Sequence, residues 1–491
     1  MGYRTSKCIS VCLLVLATSG VAIVSGCNQS NVVTAQRTIS SEAALADFDR
    51  MWEIINETHF DPNLNGVDWV AVRDELRPQA AQAMNRREIR SVMREALNRL
   101  GQSHFGIIPD ANDTNDVAVV SHDETDAMSS ENYTEIQADH GNPQEDTTIA
   151  DDSATDGTGS WDTGLDLRIM NGQAVITSVR DQSPAQEAGV QIGWVLTEVR
   201  SNELADGLAK LAEALEGPEF DINGRRMILN NHLQGPSGTT IDLTFLNRDN
   251  DTVELNIARI PMPGEFVKFG NLPAMSTHLE WNRFTMTSES GVSTEIGVIS
   301  FNIWMMPIMA PFEKAMYELR DVDGLIIDLR GNPGGIGGLS SAIGRFLMDE
   351  KGSLGTMTMR TAKMQFNIEP VIVTTWGEPL DPFAGPIAIL TDSGSASTSE
   401  VFAGGLQSLG RVEVFGTNTA GMALPASMEK LPSGDVLLHA IADFVTSTGY
   451  RLEHDGVVPD HVVPLTREDL IKGIDSPKHA AAQWIEKTVA E

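Results

Sequence analysis

The chain has 491 residues, 41% of them hydrophobic, and a formal net charge of −33 at pH 7. That length allows two or three domains with sizeable cores. The acidic balance argues against nucleic acid as a partner, and against an anionic lipid surface unless an anchor holds the chain there.

Arg4 and Lys7 form a short basic region ahead of Ile9–Val24, an apolar, small-residue run without charge that ends Val24-Ser-Gly-Cys27. This resembles a bacterial lipoprotein signal. The resemblance implies a signal peptide over 1–26, cleavage before Cys27, lipid on the Cys27 thiol, and an exported, membrane-attached protein of the cell envelope. An ordinary secretory signal or a short membrane anchor has the same outline. Cys8, Cys12 and Cys27 are the only cysteines, so the mature body has no disulfide and no cysteine metal site. Residues 27–40 read as a polar tether. Ala44, Phe48, Met51, Trp52 and Ile55 then fall on one helical face. Similar spacing at Val70, Val72 and Leu76, and at Ile89, Val92, Met93, Ala96, Leu97 and Leu100, predicts a small helical domain over 41–109.

Residues 110–163 carry fifteen Asp and Glu and no Lys or Arg. Such a stretch cannot bury enough surface to offset its ordering entropy, so it is expected to be a disordered acidic insertion. Residues 164–260 read as short strands with one helix near Leu204–Leu215. The arrangement Ser183-Pro-Ala…Ala188-Gly-Val…Gly193 resembles a PDZ domain of the bacterial protease type. On that resemblance Gly164, Leu165, Asp166 and Leu167 stand where the family's loop binds a peptide carboxylate, next to a groove that adds a peptide as an extra strand. The stretch Phe220–Asn231 departs from the pattern.

From 261 to 491 strand and helix patterns alternate. Ile296–Phe301, Gly324–Leu329 and Ile387–Leu390 read as strands; Phe312–Leu319, Ile336–Leu347 and Val401–Gln407 read as helices. An α/β domain with parallel crossovers is expected. Between the third strand and its helix lies Thr391-Asp-Ser-Gly-Ser-Ala-Ser-Thr-Ser-Glu400. A small-residue turn at a helix N-terminus exposes a hydroxyl beside unpaired N–H groups, which suits a nucleophile elbow. The same residues also suit a plain N-cap with Glu400 completing a capping box.

Three motifs occur in order: Asp328-Leu-Arg-Gly-Asn-Pro-Gly-Gly335, Ser395-Ala-Ser-Thr-Ser-Glu400 and Glu453-His-Asp-Gly-Val-Val-Pro-Asp460. With the helical and PDZ-like segments upstream they resemble the C-terminal-processing, or tail-specific, serine peptidases. The resemblance implies a multi-domain α/β chain, with a crotonase-like catalytic core, an inserted PDZ-like β domain and an N-terminal helical domain. It implies Ser397 as nucleophile, and the N–H groups of Gly335 and Thr398 as oxyanion hole, with Ser395 and Ser399 left to turn and cap hydrogen bonds.

The base departs from the Ser/Lys members: Met422 stands where their lysine is expected, and methionine takes no proton. Ser103-His104, after the third predicted helix, resembles the tricorn branch instead. There His104 serves as base, and Ser103 and Glu453 orient and support it. Lys430, His454 and Asp455 are rival candidates. Asp328, Arg330 and Asp460 read as structural. His59 and His278 fall in no metal-ligand spacing, and no cofactor is implied. The expected activity is a serine endopeptidase acting on polypeptides. The alternative is an inactive member that binds peptide or lipid through the PDZ-like domain.

Overall fold

The computed structural model describes residues 39–110 and 161–491, apart from 214, 216, 237, 273, 288–290, 292 and 372. The expected signal peptide, the expected lipidation site Cys27, the tether up to residue 38, and the acidic stretch over 111–160 lie outside the described residues.

Three helices begin the described chain: α1 (Ser41–Thr58), α2 (Trp69–Ala80) and α3 (Arg86–Asn98). Each starts at a side-chain cap, Ser40, Asp68 and Asn85 in turn. Their apolar faces meet around Phe48, Met51, Ile55, Leu76, Met93 and Leu97. This core also takes in Leu431 and Leu437 from the far end of the chain. Three helices of this length bury too little to stand alone, and the late residues complete them. A short strand, β1 (Gly106–Ile108), follows the helices.

The β-rich middle begins with β2 (Trp161–Asp162), β3 (Leu165–Met170) and β4 (Gln173–Val179). Then come α4 (Pro184–Glu187), β5 (Val195–Val199), β6 (Asn202–Glu203), α5 (Leu204–Ala212) and α6 (Gly217–Arg226), the last running into a π-helical turn at Met227–Leu233. The segment closes with β7 (Thr240–Leu246), β8 (Thr252–Ala258) and β9 (Ile260–Pro261). The main sheet has the order β3-β4-β5-β7-β8. Pairing of β2 with β9 sets the segment's stem at Trp161 and Pro261, so residues 161–163 leave the acidic stretch in which the sequence reading placed them.

The last part opens with the hairpin β10 (Glu265–Val267) and β11 (Met275–Thr277), then β12 (Leu279–Thr287) and β13 (Ser293–Phe301). It continues with α7 (Met309–Glu318), β14 (Gly324–Asp328), α8 (Gly338–Gly344), β15 (Gly352–Met359), β16 (Lys363–Ile368), β17 (Ile387–Thr391) and α9 (Thr398–Ser408). β18 (Glu413–Gly416), β19 (Ala426–Lys430), β20 (Val436–Ala440), β21 (Ala442–Thr446), β22 (His461–Val462), α10 (Arg467–Ile471) and α11 (Ser476–Ala490) complete it.

Six strands form one sheet in the order β12-β13-β14-β17-β18-β22. All its pairs are parallel except β12 with β13. Alternate residues of β14 and β17 face opposite layers. Leu325, Ile327, Ile387 and Ile389 pack with Phe312, Ile343, Phe402 and Leu406 of α7, α8 and α9. Ile326, Ala388 and Leu390 pack with Ala481, Ala482 and Ile485 of α11. Two covered faces explain why these strands read as unbroken apolar runs. The loops after β14 and β17 leave the sheet at its carboxyl edge, where open parallel sheets place their sites.

Two features tie the helices to this core. β1 pairs antiparallel with β20. Arg90 of α3 forms a two-pronged ion pair with Asp435, at 2.7 Å on each prong, with both side chains fully buried. Removing one partner leaves an uncompensated buried charge. Asp435→Ala is therefore expected to cost about 3–5 kcal/mol, read as a lowered urea or thermal unfolding midpoint.

Candidate active site

Ser397 ends the turn between β17 and α9. Its backbone has φ 56° and ψ −115°, a conformation that a non-glycine residue holds only when its surroundings impose it. Its N–H is shared between Met422 O at 2.9 Å and Glu400 Oε2 at 2.8 Å. The neighbouring serines face inward. Ser395 Oγ donates to Leu329 O, and Ser399 Oγ donates to Asn332 O while accepting from Trp304 Nε1. Ser397 is the one of the three that lines the large cavity at the sheet's edge.

The loop after β14 crosses the start of α9. Buried Asn332 pins it, donating through Nδ2 to Phe301 O and accepting from Gly334 N. Thr398 Oγ1 donates to Gly335 O at 2.9 Å. The N–H groups of Gly335 and Thr398 have no hydrogen-bond partner among the described residues. They are free to hold an oxyanion.

Gly334, which the sequence reading did not single out, comes closest to Ser397. At φ 93°, a Cβ on Gly334 would lie 2.7 Å from Ser397 Cβ and 2.9 Å from Thr398 N. A Cβ on Gly335 would instead strike the Trp304 carbonyl. Adjacent glycines look alike in sequence, and only the path of the loop tells them apart.

Ser103, His104 and Glu453 come together although 350 residues separate the first and last. Ser103 N–H donates to Glu453 Oε1 at 2.8 Å, and Ser103 Oγ to Glu453 Oε2 at 2.9 Å. With its hydrogen committed to the carboxylate, Ser103 Oγ is the acceptor for His104 Nδ1, 2.8 Å away. The ring proton therefore sits on Nδ1, which leaves Nε2 unprotonated. Nε2 has no partner among the described residues, and His104 lines the same cavity as Ser397. Burial lowers the His104 pKa, and the Glu453 charge pulls it partly back.

The rivals, Lys430 and His454 for the base and Asp455 for the place of Glu453, lie elsewhere. Lys430, His454 and Asp455 are exposed and do not line this cavity. Met422 contributes backbone: its carbonyl accepts from Ser397 and its N–H donates to Glu400 at 3.0 Å. Glu400 is more than a cap. Its buried carboxylate also accepts from Thr419 Oγ1 at 2.6 Å and Gly421 N at 2.7 Å. Burial pushes its carboxyl up to about 7 against the pull of these donors. Three of the four neighbours are backbone N–H groups that can only donate, which favours the carboxylate against the cost of burial.

The middle segment reaches the site through charge. Arg168 of β3 donates to Asp392 Oδ2 at 2.8 Å and to Arg330 O at 3.0 Å. It thereby touches both loops that frame Ser397. Burial works against the Asp392 charge, but Arg168 and the Gly331 N–H hold its carboxyl below the usual range. Asp221 of α6 accepts from Ser393 Oγ. Arg330 pairs with Asp328 and with Asp475 at the start of α11.

Within the loop expected to take a peptide carboxylate, Gly164 N donates to Asp162 and Leu167 N to Asp166. Asp166 is paired in turn with Arg168 and Arg225. Arg225 of α6 also donates to Leu167 O, on the edge strand of the sheet. The chain's own groups thus occupy much of that loop's hydrogen-bonding capacity.

The shared cavity measures ≈ 3010 Å³ and is lined by residues of both the middle segment and the core. That is several times a small-molecule pocket of roughly 300–1,000 Å³. Among the described residues no group of three or more His, Cys, Asp or Glu could hold a metal ion, and no helix is long and apolar enough to cross a membrane.

Residues 295–463 match the model of peptidase family S41, and residues 42–98 match the tricorn protease C1 domain. The chain is 24% identical over 321 residues to the chloroplastic carboxyl-terminal-processing peptidase 3 of Arabidopsis thaliana, covering 64% of this chain and 54% of the relative. It is 23% identical over 333 residues to a probable CtpA-like serine protease of Staphylococcus aureus, covering 66% and 55%. The match thus spans about half the length of these curated relatives. Among solved structures, the photosystem II D1 C-terminal processing protease aligns with a TM-score of 0.50 at 18% identity, covering 89% of this chain and 98% of that one. Mature CPAF complexed with lactacystin aligns with a TM-score of 0.54 at 14% identity, covering 91% and 98%. These two likenesses show the fold.

A methyl group at residue 334 would fill the space over Ser397 and Thr398. Gly334→Ala is expected to keep the fold, read by circular dichroism, and to cut the rate of Ser397 modification by a fluorophosphonate by about 10²-fold or more. Glu400→Gln turns an amide NH₂ toward N–H donors; a fall in that rate of about tenfold or more is expected by the same assay.

Proposed function

Since this chain belongs to the C-terminal-processing serine peptidase family, we propose that it is an endopeptidase that cleaves polypeptides through an acyl-enzyme at Ser397, with His104 as general base. The observation that carries the base assignment is the Ser103 hydroxyl, hydrogen-bonded to both His104 Nδ1 and Glu453. It leaves Nε2 as the proton-accepting nitrogen. The histidine route of the tricorn type therefore replaces the lysine route that Met422 lacks.

In this reading His104 Nε2 takes the Ser397 proton as Oγ attacks the scissile carbonyl. The tetrahedral oxyanion lies between the Gly335 and Thr398 N–H groups. The imidazolium is stabilised by Glu453 through Ser103, and it returns the proton to the leaving amine as the C–N bond breaks. A water deprotonated by the same nitrogen then hydrolyses the ester. The cavity's size suits an extended polypeptide. The middle segment, PDZ-like in its motif order, would engage the substrate beside the site, and its link through Arg168 would pass that contact to the two catalytic loops. Export with lipid on Cys27 belongs to the same proposal, supported by the basic start, the uncharged run and the small residues before Cys27.

Purified wild type is expected to digest an unfolded protein such as casein. Ser397→Ala and His104→Ala should each lower kcat/KM by about 10³-fold or more. Labelling by a fluorophosphonate that survives Ser397→Ala would sink the nucleophile assignment. The base is active when neutral, and burial lowers its pKa, so protonation sets in only under more acid conditions than usual. The acid limb of kcat/KM is expected below pH ~6.5, the ordinary imidazole value. A limb centred well above 7 in a pH–rate profile would point to another base.

A further inference from the structure

We infer that His59 is a positioning residue for the base: it fixes the turn Gln102–Phe105 that aims His104, and it acts on the reaction through His104 without touching substrate. The inference rests on the assignment of His104 as base. His59 caps the C-terminus of α1, and its ring is fully buried. The ring lies between Phe60, 4.7 Å away, and Phe105, 5.8 Å away, nearly parallel to both. Nδ1 meets the Asp61 backbone, at 2.9 Å from its carbonyl O and 3.1 Å from its N, and Nε2 meets Gln102 Oε1 at 2.9 Å.

One ring thus grips both ends of a four-residue turn, by a hydrogen bond at Gln102 and by stacking at Phe105. Ser103 and His104 are the two residues between. The turn needs such a grip, because His104 sits at φ 61°, a conformation that persists only when the surroundings over-determine it. A phenylalanine would fill the same slot with equal apolar contact. What the histidine adds is a polar edge, and that edge is directed at the base-bearing turn. Other contacts hold the neighbourhood in place: Asn65 Nδ2 donates to Leu100 O, and Thr58 Oγ1 meets Nδ1 of buried His439 on β20, the strand that pairs with β1.

The test is a double-mutant cycle with steady-state kinetics on casein. His59→Phe keeps the stack and removes the hydrogen bond to Gln102. Gln102→Leu removes the same hydrogen bond from outside the core, so a folding defect in the first variant does not end the test. Each is made in wild type and in His104→Ala, and thermal unfolding is recorded for all. In wild type each should lower kcat about tenfold or more with KM little changed, since a small misplacement of the base is costly. In His104→Ala the same changes should leave the residual rate within about twofold, because a residue acting through the base has nothing left to act on. Equal fractional losses in both backgrounds would show a general structural role and overturn the inference. So would wild-type kcat in both His59→Phe and Gln102→Leu while His104→Ala is inactive. A His104→Ala enzyme as fast as wild type would instead remove the base assignment itself, and this inference with it.

Discussion

Three consecutive backbone N–H groups, those of Gly421, Met422 and Ala423, are divided between two buried carboxylates. Glu400 takes the first two and Glu453 the third. Glu400 also holds the Ser397 N–H, and Glu453 holds Ser103 and through it His104. The proposed nucleophile and base therefore hang from one short loop. A buried carboxylate is stable only when donors satisfy its oxygens, so neither glutamate can shift without stranding charge or leaving an amide unpaired. Fixing the loop fixes both halves of the site relative to each other.

The remaining contacts make sense as supports for that loop pair. Ser397 and His104 both hold left-handed backbone, a conformation that relaxes unless its neighbours prevent it. Asn332 and Trp304 lock the turn opposite Ser397 from below, and Arg330 anchors the same segment to α11 through Asp475. Arg168 braces Asp392 from the side of the middle segment. Each support is a buried or half-buried charge or amide with a specific partner, so the site is held by directional bonds at the mouth of an otherwise apolar sheet.

What could be read from the residues alone follows from the range of the signal. The helical faces of α1 and α3 and the doubly covered strands β14 and β17 carry their burial pattern in consecutive residues, and periodicity finds them. The turn around Ser397 is legible for the same reason, as small residues between an apolar strand and a helix. The short strands from β18 to β21 were less visible, because each spans only four or five residues, too few to establish a period. The cradle role of Glu400, the close approach of Gly334 to Ser397, and the reach of Arg168 across 224 residues to Asp392 had no local signature at all. Such contacts exist only once loops from distant segments meet, and a polar side chain spent on a backbone amide leaves no pattern in its own neighbourhood. Glu400 is the instructive case: its spacing from Ser397 is that of a capping box, and the cap is present, but three of its four hydrogen bonds go to a loop about twenty residues on.

The substitution of base then has a physical explanation beyond one missing lysine. A lysine at residue 422 would bring its charge from the loop that already holds Ser397, so nucleophile and base would share one segment. Here Met422 contributes backbone hydrogen bonds, and the proposed base, His104, comes from the turn after α3. That places a demand on the helices. They cannot close a core without Leu431 and Leu437, and the buried Arg90 is neutralised by Asp435, which lies between those two residues. The segment that supplies the base is thereby built into the same stretch of chain that follows Met422. The placement of His104, the base in the proposed mechanism, is a consequence of long-range packing.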